Sequence, residues 1–239
     1  MASGHGERGS RPCGLPLAGA SAGPGRAARR PTANVYVDGF NLFYGCLKGT
    51  ECKWLDLEAL CARLLPRFEI GRIRYFTARI SGRPDKPGSP TRQDAYLRAL
   101  ATRPAVTIHY GKFLQSTVRM PLAAPRPGGP RTVEVIKTEE KGSDVNLATY
   151  LLLDAFRRDS DVAVVVSNDS DLCEPIRIVQ HEFGMPVGLL IPHSRPSEAL
   201  RRTGPAFVKQ IRHGPLAASQ LPARVTDARG RVISKPVGW

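Results

Sequence analysis

The run Val162-Ala163-Val164-Val165-Val166 constrains this chain more than any other segment. It has no polar face, so a strand built from it must be covered on both sides. Its β-branched residues favour a strand over a helix. A strand covered on both faces belongs inside a parallel sheet, whose neighbours are joined by crossovers of a dozen or more residues, usually helical. The flanks supply such crossovers. Ser143–Arg157 and Leu172–Phe183 read as helices, and Pro186–Ile191 as the next strand.

Upstream, Asn34–Asp38 is a second short apolar strand, followed by a helical stretch from Phe40. Asp56–Leu65 is a helix in which Leu57, Leu60, Cys61 and Leu64 share one face. Ile70–Ala78 is a strand, Ser81–Pro90 a loop, Thr91–Thr102 a helix and Ala105–Leu114 a strand. Residues 115–135 hold Pro121, Pro125, Pro127, Pro130 and Gly128-Gly129, and read as a long irregular hairpin. A short helix near Ser197–Arg201, with Ser197 as its N-cap, and a strand at Ala206–Ile211 complete the pattern. Strands alternating with helices predict an α/β fold: a mainly parallel central sheet with helices on both faces. Ligands of such sheets bind beyond the carboxyl ends of the strands, where strand order reverses.

The ends differ from this body. Residues 1–32 are Gly, Ala, Pro, Arg and Ser with few large apolar side chains, and are expected to form a disordered basic tail. Residues 212–239 lack periodicity but carry Leu216, Leu221, Val225, Ile233 and Trp239, and are expected to wrap the 33–211 domain without regular structure. The net charge is +14; the two ends carry +4 each, which leaves +6 on the body. That balance suits an anionic partner such as nucleic acid. The five cysteines include no C-x-x-C pair, so spacing supports neither a disulfide framework nor a zinc site. No apolar run approaches the roughly 20 residues that span a bilayer. The N-terminus has no apolar core of a secretory signal, which makes the cytoplasm the expected compartment and a membrane an unexpected partner.

Acid stands at the carboxyl ends of the two apolar strands. Val35-Tyr36-Val37 ends at Asp38, then Gly39-Phe40-Asn41. The 162–167 strand ends in Asn168-Asp169-Ser170-Asp171. Lys141-Gly142-Ser143-Asp144 opens the helix between them. Each place has a plain structural reading. Asp38-Gly39 can be a turn with Asn41 capping the next helix, Asp144 can complement a helix dipole, and Asp169 or Asp171 can cap. Taken together, three acidic clusters fall where a doubly wound sheet puts its site. Packed carboxylates repel unless a cation neutralises them, and oxygen-only donors suit magnesium or manganese. Cations so held catalyse phosphodiester cleavage.

The segments Val37–Leu42, Lys141–Ala148 and Val166–Leu172 resemble those of the NYN domain family, in its LabA-like branch within the PIN-like nucleases, and the resemblance runs from about Asn34 to Ile211. It implies a PIN-like Rossmannoid three-layer sandwich and a ribonuclease site using Mg2+ or Mn2+. Asp38, Asp144, Asp169 and Asp171 match the family's acidic, metal-holding positions, and Asn41 its polar residue after the first acid. Asn41, Lys141, Ser167 and Asn168 are the expected substrate contacts, with RNA as substrate and single-stranded DNA as the other polymer such a site accepts. Two further readings stand beside this one. Some relatives are labelled as an NADH-dependent hydroxylase of the 6-hydroxy-3-succinoylpyridine type, from nicotine breakdown. No G-x-G-x-x-G follows the first strand here, although His109, His181 and His193 can still assemble an iron site in space. The other is a non-catalytic RNA-binding or adaptor domain. The basic residues Arg72, Arg74, Arg79, Arg83, Lys86 and Arg92 can rim a phosphate-binding surface, and Phe40 or Tyr44 can stack on a base.

Overall fold

A computed structural model describes residues 29–82 and 87–239. Arg83 and Lys86, and all but the last four residues of the expected basic tail, lie outside the described residues. Seven strands form one sheet: β1 Thr32–Asp38, β2 Glu69–Ala78, β3 Val106–Pro121, β4 Thr132–Lys141, β5 Val162–Val166, β6 Val187–Ile191 and β7 Phe207–Gln210. Their order is β4-β3-β2-β1-β5-β6-β7, all parallel except the antiparallel pair β3–β4. The chain builds outward from β1 through β2 and β3, returns, and builds outward again on the other side from β5. Strand order therefore reverses between β1 and β5.

Both sheet faces are covered, as the 162–166 run demands. Val35, Val37, Val164 and Val166 point into one buried layer with helices α2 (Leu57–Leu64) and α3 (Ser89–Leu100). Tyr36, Ala163 and Val165 point into the other, with α4 (Ser143–Phe156) and α5 (Cys173–His181). Short helices α1 (Gly39–Leu42) and α6 (Glu198–Arg201) follow β1 and β6. The helical stretch after β1 changes character: Gly39–Leu42 is α-helical, and Phe43–Leu47 is a π-helical turn closed by Lys48 N–H donating to the Phe43 carbonyl at 2.7 Å. Pro90, read as loop, sits in the first turn of α3, where its missing N–H has no partner to lose.

Two expectations are corrected. Residues 115–135 are not irregular throughout. The ladder continues in register from Lys112↔Lys141 to Pro121↔Thr132, and only the connection beyond is irregular. Much of this part of the ladder lies outside the packed layers, so no apolar face imposes a period of two on its sequence. Nor does 212–239 lack regular structure. It forms helix α7 (His213–Ala217) and a small hairpin of β8 (Arg224–Thr226) and β9 (Val232–Ser234). The hairpin turn is held by Asp227, whose Oδ1 accepts from Arg229 N–H and Arg231 N–H. Strands of three residues are too short to show a period. The segment docks by backbone pairing: Asp56 N–H donates to the Ser219 carbonyl, Leu221 N–H to Trp54, and the buried Trp54 indole to Pro222.

A buried polar network crosses the α4 side of the sheet. Arg74, expected at a surface rim, is buried on β2 and pairs in a two-pronged fashion with Asp154 of α4: Nε to Oδ2 at 2.7 Å and Nη2 to Oδ1 at 2.8 Å. The Tyr36 hydroxyl donates to the same carboxylate at 3.0 Å, and the Tyr150 ring lies 4.4 Å from the guanidinium. His109 stacks on Phe76 with its Nε2 3.2 Å from Arg74, which together with burial holds its pKa below the usual value. The neutral ring then accepts from Arg74, so His109 is a satisfied structural residue.

Candidate active site at the reversal of strand order

Adjacent strands place the first two acidic segments side by side. Val37 of β1 is in register with Val166 of β5, so Asp38 and Ser167 leave the sheet together at the point where strand order reverses. The buried Ser167 hydroxyl donates to Asp38 Oδ2 at 3.0 Å. The same hydroxyl accepts from Asp169 N–H at 3.1 Å. Asn41 Oδ1 accepts from Asn168 N–H at 3.0 Å, tying the two strand-end loops together. Gly39 permits this closeness: a Cβ there would lie 2.7 Å from the Phe76 carbonyl and the Tyr75 ring. The third segment arrives along the β3–β4 hairpin. Gly142 adopts φ 99°, a left-handed turn into α4 that favours glycine, and puts Asp144 in the first helical turn.

The carboxylates share one electrostatic environment. Asp144 is pushed up to about 6, first by partial burial and then by the charges of Asp38, Asp169, Glu140 and Asp171. Asp38 is also raised, chiefly by burial, with Asp169 adding repulsion and hydrogen bonds from Asn41 and Ser167 opposing it. So Asp144 feels the charge of all three of the other predicted acids, and of Glu140 besides. Glu140 was not singled out from sequence. Its Oε1 accepts from Ser143 N–H at 3.1 Å and Oγ at 2.7 Å, which fixes the start of α4. The acids do not form a tight cage: among the described residues, no three of them bring ligand oxygens within 4.8 Å of one another. Magnesium keeps several waters and is held by one or two carboxylates plus substrate phosphate, so an open, all-oxygen set of this kind fits it.

Capping and site roles coexist here. Asp38, not Asn41, caps α1, with Oδ1 accepting from Asn41 N–H at 2.9 Å, and Asp169 caps the turn at 170–172 through Oδ1 and Asp171 N–H at 3.0 Å. Two of the expected substrate contacts have partners within the protein. Ser167 is fully buried, and its hydroxyl donates to Asp38 and accepts from Asp169 N–H. The Asn168 amide donates to the Arg195 carbonyl at 3.1 Å and accepts from Ser197 N–H at 2.7 Å, which engages it in joining the β5 and β6 loops. Lys141 is exposed at the end of β4, 3.7 Å from Glu139. Of the basic rim, Arg72 pairs with Asp159 and Arg79 with Asp94, both at 2.7 Å. Phe40 packs edge-on against Phe113, whereas Tyr44 is 59% exposed, with Phe43 edge-on against its ring and the Lys48 amine 5.1 Å from the ring centroid. His109, His181 and His193 do not converge on a common point.

The raised Asp144 makes a prediction about pH. A carboxyl whose pKa is higher folded than unfolded stabilises the fold below its unfolded value, and that contribution is lost as pH rises through the folded value. For Asp144 the window runs from 3.8 to about 6. At pH 7.5 in chelator, Asp144→Asn should therefore raise stability, by on the order of 1 kcal/mol once solvent screening is allowed for. At pH 3.5 the gain should vanish. Thermal melts of both proteins at the two pH values read the difference.

A seven-stranded, mainly parallel sheet between helical layers, with acids gathered where strand order reverses, is an α/β sandwich of the PIN-like kind. The chain belongs to the NYN domain family, whose model matches residues 32–211. That family sits in a nuclease-like superfamily whose members generally use divalent metals. The chain is 31% identical over 234 residues to 6-hydroxy-3-succinoylpyridine 3-monooxygenase HspA of Pseudomonas putida, which covers 86% of this chain and 74% of that protein. A crystal structure of a Vibrio parahaemolyticus protein of unknown function shares the fold, with a TM-score of 0.51, 17% identity, and coverage of 82% of this chain and 99% of that one. Among the described residues, no helix is long and apolar enough to cross a membrane.

Proposed function

We propose that this protein is a metal-dependent ribonuclease acting through the acids between β1 and β5. The observation that carries the reading is the crowding of Asp144 by Asp38, Asp169 and Asp171 at the reversal of strand order. Asp38, Asp144, Asp169 and Asp171 would hold Mg2+ or Mn2+. When bound, such a cation supplies an activated water and neutralises charge on the leaving oxygen. The rest falls to the chain. Ser167 and Asn41 N–H fix the Asp38 carboxylate, and Asp171 N–H fixes Asp169. Lys141, exposed at the end of β4, would meet a phosphate, and the exposed Tyr44 would stack on an unpaired base once Lys48 moves off its ring. The +6 charge of the body favours a polyanion.

The name of the Pseudomonas putida relative favours a second reading, hydroxylation of a succinoylpyridine. The three histidines that could have held iron stand apart, and Asp38-Gly39-Phe40-Asn41 occupies the turn where a dinucleotide fingerprint would lie. Two assays on one preparation decide between them. Labelled single-stranded RNA with Mg2+ or Mn2+ should be cut, while NADH with 6-hydroxy-3-succinoylpyridine should be left unoxidised. The opposite pair of results would make the monooxygenase reading correct.

A further inference from the structure

Away from the acidic site, the chain brings together three side chains of different chemistry. Glu51 and Cys52 lie in the loop before α2, and His213 opens α7, more than 160 residues later in the sequence. His213 Nε2 is 3.8 Å from Cys52 Sγ and 3.1 Å from Glu51 Oε1. The three ligand atoms all lie within 4.8 Å of one another, the only such set of three among the described residues.

Two readings of the trio differ in geometry. In a Cys–His–acid catalytic relay, the thiol and the acid engage opposite ring nitrogens. Here both face Nε2, which a relay cannot use. A metal ion needs just this convergence. With Zn–N and Zn–O of about 2.1 Å and Zn–S of about 2.3 Å, a tetrahedral centre sets N and S about 3.6 Å apart and N and O about 3.4 Å apart. The observed 3.8 and 3.1 Å are close to those edges. One side-chain and two backbone hydrogen bonds hold the two segments in place. Gln220 Nε2 donates to the Cys52 carbonyl at 3.2 Å, Leu221 N–H to Trp54 at 2.9 Å and Asp56 N–H to Ser219 at 2.8 Å. Cys52 is buried while Glu51 and His213 are exposed, so the centre would sit at the surface with its fourth position open to water.

We propose that Glu51, Cys52 and His213 form a zinc site that staples the C-terminal extension to the NYN domain. Thiolate, imidazole and carboxylate are the donor set that zinc takes, and thiolate is foreign to magnesium. On binding, the Cys52 thiol gives its proton to solvent and the thiolate becomes the ligand. The two negative ligands together balance the charge of the cation.

The test uses the full chain, stripped with chelator and titrated with Co2+ as a coloured stand-in for Zn2+. The acidic site has no sulfur, so a near-ultraviolet thiolate-to-cobalt charge-transfer band reports this site alone. The wild type should show the band with one equivalent bound, and Zn2+ should displace the cobalt and raise the melting temperature. Cys52→Ser should lose the band. His213→Ala, on an exposed side chain that leaves the core untouched, should weaken binding at least about 10-fold. Cys46→Ser, which alters a thiol outside the trio, should behave as wild type. A wild type without the band, or a band unchanged in Cys52→Ser or His213→Ala, would overturn the site.

Discussion

Asp38→Asn should lower RNA cleavage by at least about 10^3-fold while leaving RNA binding nearly unchanged, because an amide keeps the shape but not the charge that holds a cation. The magnitude follows from the several kcal/mol that Lewis-acid stabilisation contributes, at 1.36 kcal/mol per tenfold in rate. The fold should survive. The substituted amide can still accept from Asn41 N–H through its carbonyl, and the Ser167 hydroxyl can turn to accept from the amide N–H. Single-turnover cleavage and filter binding, measured on one preparation, separate chemistry from affinity. An equal loss of both would mean that Asp38 serves the fold and not the chemistry.

The largest effect on stability belongs to a residue far from that chemistry. Asp154→Ala should destabilise by roughly 3–5 kcal/mol, the cost of leaving a buried charge without its partner. Arg74 is 7% exposed and loses both prongs of its pairing, and Tyr36 loses the acceptor of its hydroxyl. For a chain of this length that corresponds to a fall of roughly 6–20 °C in melting temperature. Adding Arg74→Met should recover much of the loss, since a buried ion pair replaced by apolar side chains is often neutral or better. Denaturant unfolding of the two single variants and the double variant closes the cycle. A loss below about 1 kcal/mol for Asp154→Ala would show that water takes up the slack.

The sequence showed the site's acids more readily than their surroundings. Asp38 and Asp169 were visible because each closes an apolar strand, and the buried 162–166 run left little choice about the sheet around them. The neighbours that tune them were less visible. Glu140 lies on an exposed strand with no pattern to set it apart, and it joins the site only because the β3–β4 ladder runs in register as far as Lys112↔Lys141. Arg74 read as a surface cation because its strand mixes arginine with apolar residues, and only the covering helix α4 supplies Asp154 to bury it against. Ser167 and Asn168 were read as substrate contacts from their place beside the acids, a place they hold by bonding to the protein. Cys52 and His213 carry no local spacing at all, since packing of the C-terminal extension brings them together across the whole domain. Short strands such as β8 and β9 give no periodic signal, and a π-helical turn differs from an α-helix by one hydrogen-bond step that composition does not encode.

The central claim is that the acids between β1 and β5 hold a cation for RNA cleavage. The most direct measurement takes wild-type protein through exhaustive chelation, then restores Mg2+ or Mn2+ and follows labelled single-stranded and structured RNAs. Cleavage should disappear with the metal and return with it, and Asp144→Asn should not recover at any metal concentration that restores the wild type. A protein that cuts no RNA or DNA with either metal present, or that cuts equally well after chelation, would contradict the account.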